Sequence, residues 1–209
     1  MLTELIHVIG AGGHGKVVLD AMSALNIAAN QIVLRDLATK YDGQKILSWP
    51  VKIGYPDIKN AGQLFHLAIG DSKAREQVCL LLTKLELIPF TVIHPKAVVS
   101  KFSRLEQGVF IAANAVVGPM VSVGKSTIIN HGVVVDHDCV VGDFCHVAPT
   151  ATLGGGVQLG KHVFIGAGAN VLPQITIGDF SVIGAGAVVT QNIPAATTFA
   201  GVPARKIRG

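Results

Sequence analysis

A histidine between two carboxylates is the strongest chemical signal in the second half of this sequence. His137 is flanked by Asp136 and Asp138. A neighbouring carboxylate raises the basicity of an imidazole or holds it in one tautomer, and both effects suit a residue that takes a proton from a substrate. We therefore predict that His137 is a general base. His131, six residues earlier, is the main competitor, and a solvent-exposed histidine without a role is the alternative.

A second candidate site is the glycine-rich segment at residues 10–15, which fits the pattern G-x-G-x-x-G and has Asp36 about twenty residues further on. Glycines let the backbone approach phosphates, and the N-terminus of the following helix offers free N–H groups. The pattern suits a dinucleotide or the pyrophosphate of a nucleotide sugar, and the alternative is a tight turn only. About ninety residues supply one mononucleotide-binding half, not two, so the size favours a nucleotide sugar.

The elements that carry His137 come from a repeat. Every sixth residue from Ile93 to Val189 is aliphatic, and small residues often follow. Six steps of 100° do not return to one helix face, whereas short strands joined by tight corners place every sixth side chain inside a coil. The pattern predicts a parallel β-helix. Its inward residues are Ile93, Val99, Leu105, Ile111, Val117, Val123, Ile129, Val135, Val141, Val147, Leu153, Leu159, Ile165, Val171, Ile177, Ile183 and Val189.

The residues before the repeat predict an α/β domain. Apolar runs at residues 5–9, 31–34 and 67–69 are predicted strands, and helices are predicted after the first glycine turn and at about residues 73–87. Strand, glycine turn, helix and strand form a βαβ unit with parallel strands. We expect a Rossmann-like domain at residues 1–92 and a β-helix with a C-terminal tail at residues 93–209.

Composition argues against several other classes of protein. Half of the residues are hydrophobic and the net charge is only +4, which argues against a disordered chain and against nucleic-acid binding. The three cysteines (Cys79, Cys139 and Cys145) form no CxxC pair, so neither a disulfide framework nor a zinc site is expected. The start of the chain lacks a signal-peptide pattern and no apolar run is long enough to span a membrane, so a cytoplasmic protein is expected.

The repeat resembles that of the hexapeptide-repeat acyltransferases, whose β-helix is left-handed. The segment FAGVPARKI at residues 199–207 is similar to the GxPA[KR] ending of that family. A glycine–histidine–glycine turn at residues 13–15 ahead of the repeat is similar to the NeuD-like sugar acyltransferases, and most of all to N-acetyltransferases of UDP-4-amino-4,6-dideoxy sugars on the route to diacetamido-bacillosamine. The resemblance implies a homotrimer of glycan biosynthesis that uses acetyl-CoA as co-substrate, with no permanent cofactor and no metal.

The resemblance also implies roles for single residues. His137 would be the general base, with Asp138 as its supporting acid. Because a three-faced coil returns to the same column after about eighteen residues, Gly155 should stack about 4.8 Å from His137 and offer its N–H to an oxyanion. Acetyl-CoA would meet His146, Gly155, Ala167 farther up the same groove, and Arg205. The nucleotide sugar would meet Gly12, Gly13, His14, Arg35, Asp36 and Gly70, with Arg35 standing where relatives often carry a second acidic residue.

Two other functions remain open from the residues. O-acetylation of sialic acid or a related sugar would use the same folds and the same base. A non-catalytic or metal-binding β-helix module would need about three histidines that converge between subunits, for which His131, His137 and His146 are the candidates.

Overall fold

The computed structural model describes residues 5–60 and 62–208. Contacts divide the chain into two compact units, Met1–Pro95 and Lys96–Gly209. Neither of the two α-helices in the described part of the chain is long and apolar enough to cross a membrane.

The first unit is built on a five-stranded parallel sheet. Its elements are β1 (Ile6–Ile9), α1 (Gly13–Ala24), β2 (Ile32–Asp36), β3 (Lys45–Ile46), β4 (Trp49–Pro50), β5 (Lys52–Ile53), β6 (Leu64–Leu67), α2 (Ser72–Lys84), β7 (Ile88–Pro89) and β8 (Val92–Ile93). The strand order is β5-β2-β1-β6-β7, while β3 and β4 form a small antiparallel pair. The chain moves outward from β1 to β2 and, in the opposite direction, from β6 to β7. Ligands of open parallel sheets bind at such a reversal, beyond the carboxyl ends of the strands.

The predicted βαβ unit is confirmed, with shifted boundaries. Strand β2 continues through Asp36, so Arg35 and Asp36 point to opposite faces of the sheet. Strand β6 covers residues 64–67 and not 67–69. The pattern misplaced β6 because His66 interrupts its apolar run, yet His66 is fully buried and shares a 2.8 Å hydrogen bond with the Phe90 carbonyl. Burial lowers the pKa of His66 to about 4.

Helix α2 begins and packs as its sequence dictates. The Asp71 side chain caps it by accepting a hydrogen bond from the Ala74 N–H at 2.8 Å. Its apolar stripe, Val78 and Leu82, packs on Ile9, Phe65 and Leu67 of the sheet.

The second unit is a left-handed β-helix, as predicted, and all of its strands except the last two are two residues long. The strands are β9 (Val98–Val99), β10 (Arg104–Leu105), β11 (Phe110–Ile111), β12 (Val116–Val117), β13 (Ser122–Val123), β14 (Ile128–Ile129), β15 (Val134–Val135), β16 (Val140–Val141), β17 (His146–Val147), β18 (Thr152–Leu153), β19 (Gln158–Leu159), β20 (Phe164–Ile165), β21 (Asn170–Val171), β22 (Thr176–Ile177), β23 (Val182–Ile183), β24 (Val188–Val189), β25 (Thr198–Ala200) and β26 (Arg205–Arg208).

Every third strand pairs in parallel, which makes three faces. The β10 face has the order β10-β13-β16-β19-β22, and the β9 face has the order β9-β12-β15-β18-β21-β24. The β11 face continues through β14, β17, β20 and β23 to β25, where β26 returns antiparallel. Val117 pairs with Val99 on one side and Val135 on the other, so the coil returns to the same column after eighteen residues.

The hexad aliphatics fill the interior of this coil. Fourteen of the seventeen, from Ile111 to Val189, are buried, whereas Ile93, Val99 and Leu105 at the first turns are half-buried. Four residues after the aliphatic position, a second inward position holds small or medium residues, among them Thr127, Cys139 and Cys145 at 0% exposure. The two cysteines are therefore packing residues, and burial raises the pKa of the Cys139 thiol.

The corners explain the glycines. A methyl group on Gly118 would lie 2.9 Å from the backbone nitrogen of His137 in the next coil, and one on Gly142 would overlap the Gly160 carbonyl. Side chains larger than hydrogen are excluded there because successive coils approach too closely. Each corner also has one position with a positive φ. Glycine occupies it in some coils, and residues such as Asp138 (φ 59°) and Gln174 (φ 63°) occupy it in others.

Candidate active site

His137 lies on an exposed corner between β15 and β16, which we call the His137 corner. Its Nδ1–H donates to Asp138 Oδ2 at 2.7 Å, and its backbone N–H donates to Asp136 Oδ1 at 2.7 Å. Because the carboxylate accepts from Nδ1, the neutral ring keeps its lone pair on Nε2. The hydrogen bond to Asp138, followed by the charge of Asp136, raises the pKa of His137 above its usual value. The pair therefore has the fixed tautomer and the raised basicity that a general base would need.

Gly155 lies in the same column, one coil further on. The Gly156 N–H donates to the His137 carbonyl at 2.9 Å, which fixes the two coils in register. A methyl group on Gly155 would lie 2.6 Å from both Cε1 and Nε2 of His137, so the imidazole rests on the bare glycine backbone. Among the described residues the Gly155 N–H has no hydrogen-bond acceptor. Nε2 of His137 thus lies against the backbone of a residue whose N–H is unpaired among the described residues, and acyl transfer uses a base together with such a donor.

Ala167 occupies a different corner, and its predicted position in the His137 groove is wrong. The Thr150 N–H donates to the His131 carbonyl at 2.9 Å and the Gly186 N–H donates to the Ala167 carbonyl at 2.8 Å. Together with a bond from Gly168 to Pro149, these contacts stack Ala167 with His131, on the corner between β14 and β15. Ala167 is thirty residues from His137, and only multiples of eighteen return to the same column.

His146 lies on the β11 face and not on either corner. Asn130 Nδ2 donates to His146 Nε2 at 3.2 Å, and the ring meets Phe164 edge-on with centroids 5.3 Å apart. Within one chain the structure therefore places His131, His137 and His146 on three separate parts of the coil. Among the described residues no group of three or more His, Cys, Asp or Glu side chains could hold a metal ion.

Arg205 is exposed at the start of β26, and its Nη1 donates to the carbonyl of Ala204 at 2.9 Å. Its guanidinium is open to solvent on its remaining edges. The chain thus presents a cation at its C-terminal hairpin.

In the glycine turn of the first unit, some glycines are required by close packing and others have open space in front of them. A side chain on Gly10 would meet the Ala68 carbonyl at 2.5 Å, and one on Gly15 would overlap the Gly10 carbonyl. Helix α1 begins at Gly13, and Gly12 caps it without a side-chain hydrogen bond. Apart from the backbone of the helix itself, no atom of the described residues lies within 4 Å of a methyl group placed on Gly13. The N-terminus of α1 is therefore open to a phosphate, and the half-buried His14 lies in its first turn.

Asp36 lies next to this turn at the end of β2. Its carboxylate accepts from the Ala11 N–H at 2.7 Å and from the Ala38 N–H at 2.8 Å. It also lines a pocket of about 90 Å³ at the strand ends. The other lining residues are Ile9, Gly10, Leu37, Tyr55 and Ile69, and Gly70 follows as an exposed residue.

Tyr55 is the lining residue that the sequence analysis missed. It follows β5 in a loop without a motif, and no signal in the sequence pointed to it. Burial, followed by the charge of Asp36, raises the pKa of its hydroxyl. An aromatic ring, aliphatic side chains and a carboxylate around one pocket suit the nucleoside part of a ligand.

Arg35 points to the opposite face of the sheet from Asp36. Its Nε donates to His7 Nδ1 at 3.0 Å, and its Nη1 donates to the carbonyls of Gly54 at 3.4 Å and Tyr55 at 3.3 Å. His7 is buried, and its Nε2–H donates to Gln63 at 2.6 Å. Burial lowers the pKa of His7, which is neutral and accepts from Arg35. Arg35 therefore supports the loop that carries Tyr55. It is not among the residues that line the pocket.

Comparisons with known proteins agree with both units. The family "PglD N-terminal domain" matches residues 5–81, and the family "Bacterial transferase hexapeptide (six repeats)" matches residues 156–191. UDP-N-acetylbacillosamine N-acetyltransferase of Bacillus subtilis is 37% identical over 119 residues, which are 52% of this chain and 51% of that protein. The chain thus aligns with about half the length of this curated relative.

Two solved structures are similar along the whole chain. A mutant of GDP-perosamine N-acetyltransferase from Caulobacter crescentus, in complex with CoA and GDP-perosamine, is 32% identical with a TM-score of 0.92, and the match covers 100% of this chain and 99% of that one. The acetyltransferase domain of PglB from Neisseria gonorrhoeae, in complex with acetyl coenzyme A, is 32% identical with a TM-score of 0.89, over 98% and 99% of the two chains. On this full-length similarity, the chain belongs to the NeuD-like family of sugar acyltransferases, in which a PglD-type domain precedes a hexapeptide-repeat β-helix.

Proposed function

We propose that this protein transfers an acetyl group from acetyl-CoA to the 4-amino group of a UDP-linked amino-dideoxy sugar. One observation carries the proposal: the imidazole of His137, held by Asp138, rests on Gly155 in a chain whose full-length structural neighbours include a sugar N-acetyltransferase in complex with CoA. The acetylated sugar nucleotide would serve glycan biosynthesis. Since acetyl-CoA and nucleotide sugars are cytoplasmic metabolites, the reaction would take place in the cytoplasm.

The chemistry follows from the His137 corner. The amine attacks the thioester carbonyl as Nε2 of His137 removes its proton, and the Asp138 carboxylate stabilises the imidazolium. The Gly155 N–H donates to the oxyanion of the tetrahedral intermediate. When the C–S bond breaks, the electron pair leaves with the CoA sulfur and the imidazolium returns a proton to it. No metal or redox partner enters this sequence of steps.

The nucleotide sugar would bind the first unit. Its pyrophosphate would lie over Gly12, Gly13 and His14 at the open N-terminus of α1, where the N–H groups and the helix dipole favour anions. The nucleoside would enter the pocket of Asp36 and Tyr55, with Gly70 at its edge and Arg35 supporting its wall. Residues 1–92 would thus hold the acceptor substrate, and residues 93–209 would carry out the transfer.

Acetyl-CoA binding requires a second copy of the chain. His146 and Ala167 lie away from the His137 corner within one chain, so we propose that they meet acetyl-CoA bound between subunits of a homotrimer. Their natural complement is the His137 corner of the neighbouring copy, with Arg205 close to the phosphates. Three equivalent clefts would result.

An exposed apolar strip supports this assembly. Phe102 and Met120 are 64% and 65% exposed, and they precede Asp138 in the same column at intervals of eighteen residues. Val98 and Val116 are also exposed and pair on the adjacent β9 face. Apolar side chains grouped in this way on a protein surface mark an interface. Light scattering should give about three times the chain mass of 21.8 kDa, and a stable, active monomer would contradict the trimer.

The test is a thiol-release assay with acetyl-CoA and a panel of UDP-, GDP- and dTDP-linked amino sugars. The proposal expects turnover with a UDP-4-amino sugar, loss of about 10²–10⁴-fold in kcat for His137→Ala, and near-normal activity for the control His131→Ala. Preference for the GDP sugar would change the nucleotide assignment only. Wild-type kcat for His137→Ala at every pH from 6 to 9 would remove His137 from the mechanism.

A further inference from the structure

Two glycines form a notch beside the general base. Gly155 and Gly156 lie on the His137 corner, one coil beyond His137 and Asp138 and one coil before Pro173 and Gln174. The Gln174 N–H donates to the Gly155 carbonyl at 2.9 Å, as Gly156 does to His137, so the three coils are in register. Neither glycine carries a side chain, yet both are buried because side chains of the neighbouring coils cover them, and we call this stretch the glycine notch.

Side chains from both neighbouring coils reach into the glycine notch. The His137 ring comes from one side, with Nε2 at 2.6 Å from a methyl group placed on Gly155. The Gln174 amide comes from the other side. A methyl group placed on Gly156 would overlap its nitrogen and would lie 2.8 Å from its carbonyl carbon and 3.0 Å from its oxygen. The two side chains therefore occupy adjacent positions along the same two-residue stretch of backbone.

The Gln174 amide is held there without a partner of its own. Its backbone has a φ of 63°, the left-handed conformation of this corner position, and its amide lies over Gly156. Among the described residues no group accepts or donates a hydrogen bond to the side-chain amide. An amide with two N–H donors that pair with no described residue thus lies over Gly156, next along the backbone to Gly155, on which the His137 ring rests.

We propose that Gln174 is a further catalytic residue, whose Nε2–H donates to the thioester carbonyl oxygen as the second donor beside the Gly155 N–H. The proposal rests on the proposed function, since it assigns a role within that acyl transfer. When the new C–N bond forms, the carbonyl π electrons move to the oxygen, and both donors shorten their hydrogen bonds to it. When the C–S bond breaks, the C=O bond is restored, and no proton leaves Gln174. Side-chain amides serve as such donors because they add a dipole without adding a titratable group.

The experiment measures kcat and both KM values for Gln174→Ala and Gln174→Glu in the full-length protein. Removal of one oxyanion donor costs about 10²-fold in kcat or more, so Gln174→Ala should lose about that much, with little change in KM for acetyl-CoA or for the sugar nucleotide. Gln174→Glu should lose more, because a carboxylate repels the oxyanion. Its charge should also favour the imidazolium of His137 and move the acid limb of the kcat/KM profile to higher pH. A role in folding alone would not move that limb.

Gln107→Ala is the matched control, since Gln107 is an exposed glutamine of another corner. It should keep wild-type kcat, and all three variants should keep the wild-type melting temperature because the changed side chains are exposed. Wild-type kcat for Gln174→Ala would overturn the proposal, as would a loss confined to KM for the sugar nucleotide. If the unaltered protein releases no thiol with any sugar of the panel, the proposed function fails and this role fails with it. If the wild-type enzyme is active and Gln174→Ala has the same kcat, only the role of Gln174 is refuted.

Discussion

Gly155→Ala should disable the proposed base without changing the base itself. The new methyl group would lie 2.6 Å from Cε1 and Nε2 of His137, whereas non-bonded carbon atoms rest at about 3.5–4.0 Å. The imidazole must therefore retreat by about 1 Å. A misplacement of about 1 Å costs about 10²-fold in rate, so kcat should fall by that factor. Gly155 has no positive φ, so alanine adds no backbone strain there.

The free energy of unfolding should change by less than about 1 kcal/mol, because the His137 side chain is 55% exposed and can turn aside into solvent. Thiol release gives the rate, and denaturant unfolding gives the stability. Gly132→Ala is the control. Among the described residues its methyl group would meet only Thr150 Cγ2, at 3.5 Å. The variant should lose about 1 kcal/mol of stability for the positive φ while it keeps its kcat.

A double-mutant cycle separates the routes by which Gly155 could act. If the methyl group acts only by displacing the imidazole, Gly155→Ala should add no further loss in a His137→Ala background. Two losses of about 10²-fold that multiply would refute this reasoning, because the methyl group would then disturb the oxyanion donor and not the base.

Three further outcomes follow from the geometry. Asp138→Asn should lower the pKa of His137, which the carboxylate raises in the native protein, so the acid limb of the kcat/KM profile should move to lower pH; an unchanged limb would show that the hydrogen bond does not control the base. Asp36→Ala should raise KM for the sugar nucleotide and leave KM for acetyl-CoA unchanged, since the Ala11 N–H loses its acceptor; equal changes in both constants would count against a separate nucleotide site. Ile165→Ala should lower the free energy of unfolding by about 2–5 kcal/mol in denaturant titrations, because Ile165 is 0% exposed inside the coil; a change below about 0.5 kcal/mol would contradict its core position.

Much of the fold could be predicted from the order of residue types alone. A period of six with aliphatic residues at every step admits one packing, a coil with short strands, and that period also set the column of His137 and Gly155. The carboxylates beside His137 and the open glycines of the first turn are local features, which a sequence shows directly because the residues concerned are neighbours in the chain. The hairpin of β3 and β4 and the short strand β5 carry no such periodic signal and were not predicted.

What surrounds each candidate residue was decided only by the tertiary structure. Ala167 and Gly155 belong to equivalent hexads, yet three-dimensional stacking places them on different corners, because the column repeats every eighteen residues and not every six. Arg35 and Asp36 are adjacent, yet alternation along β2 turns one toward His7 and the other toward the Ala11 N–H. A sequence pattern determines which residues face inward because burial depends on local periodicity. Which side chains meet across coils and strands depends on register between distant segments, and that register exists only once the chain has folded.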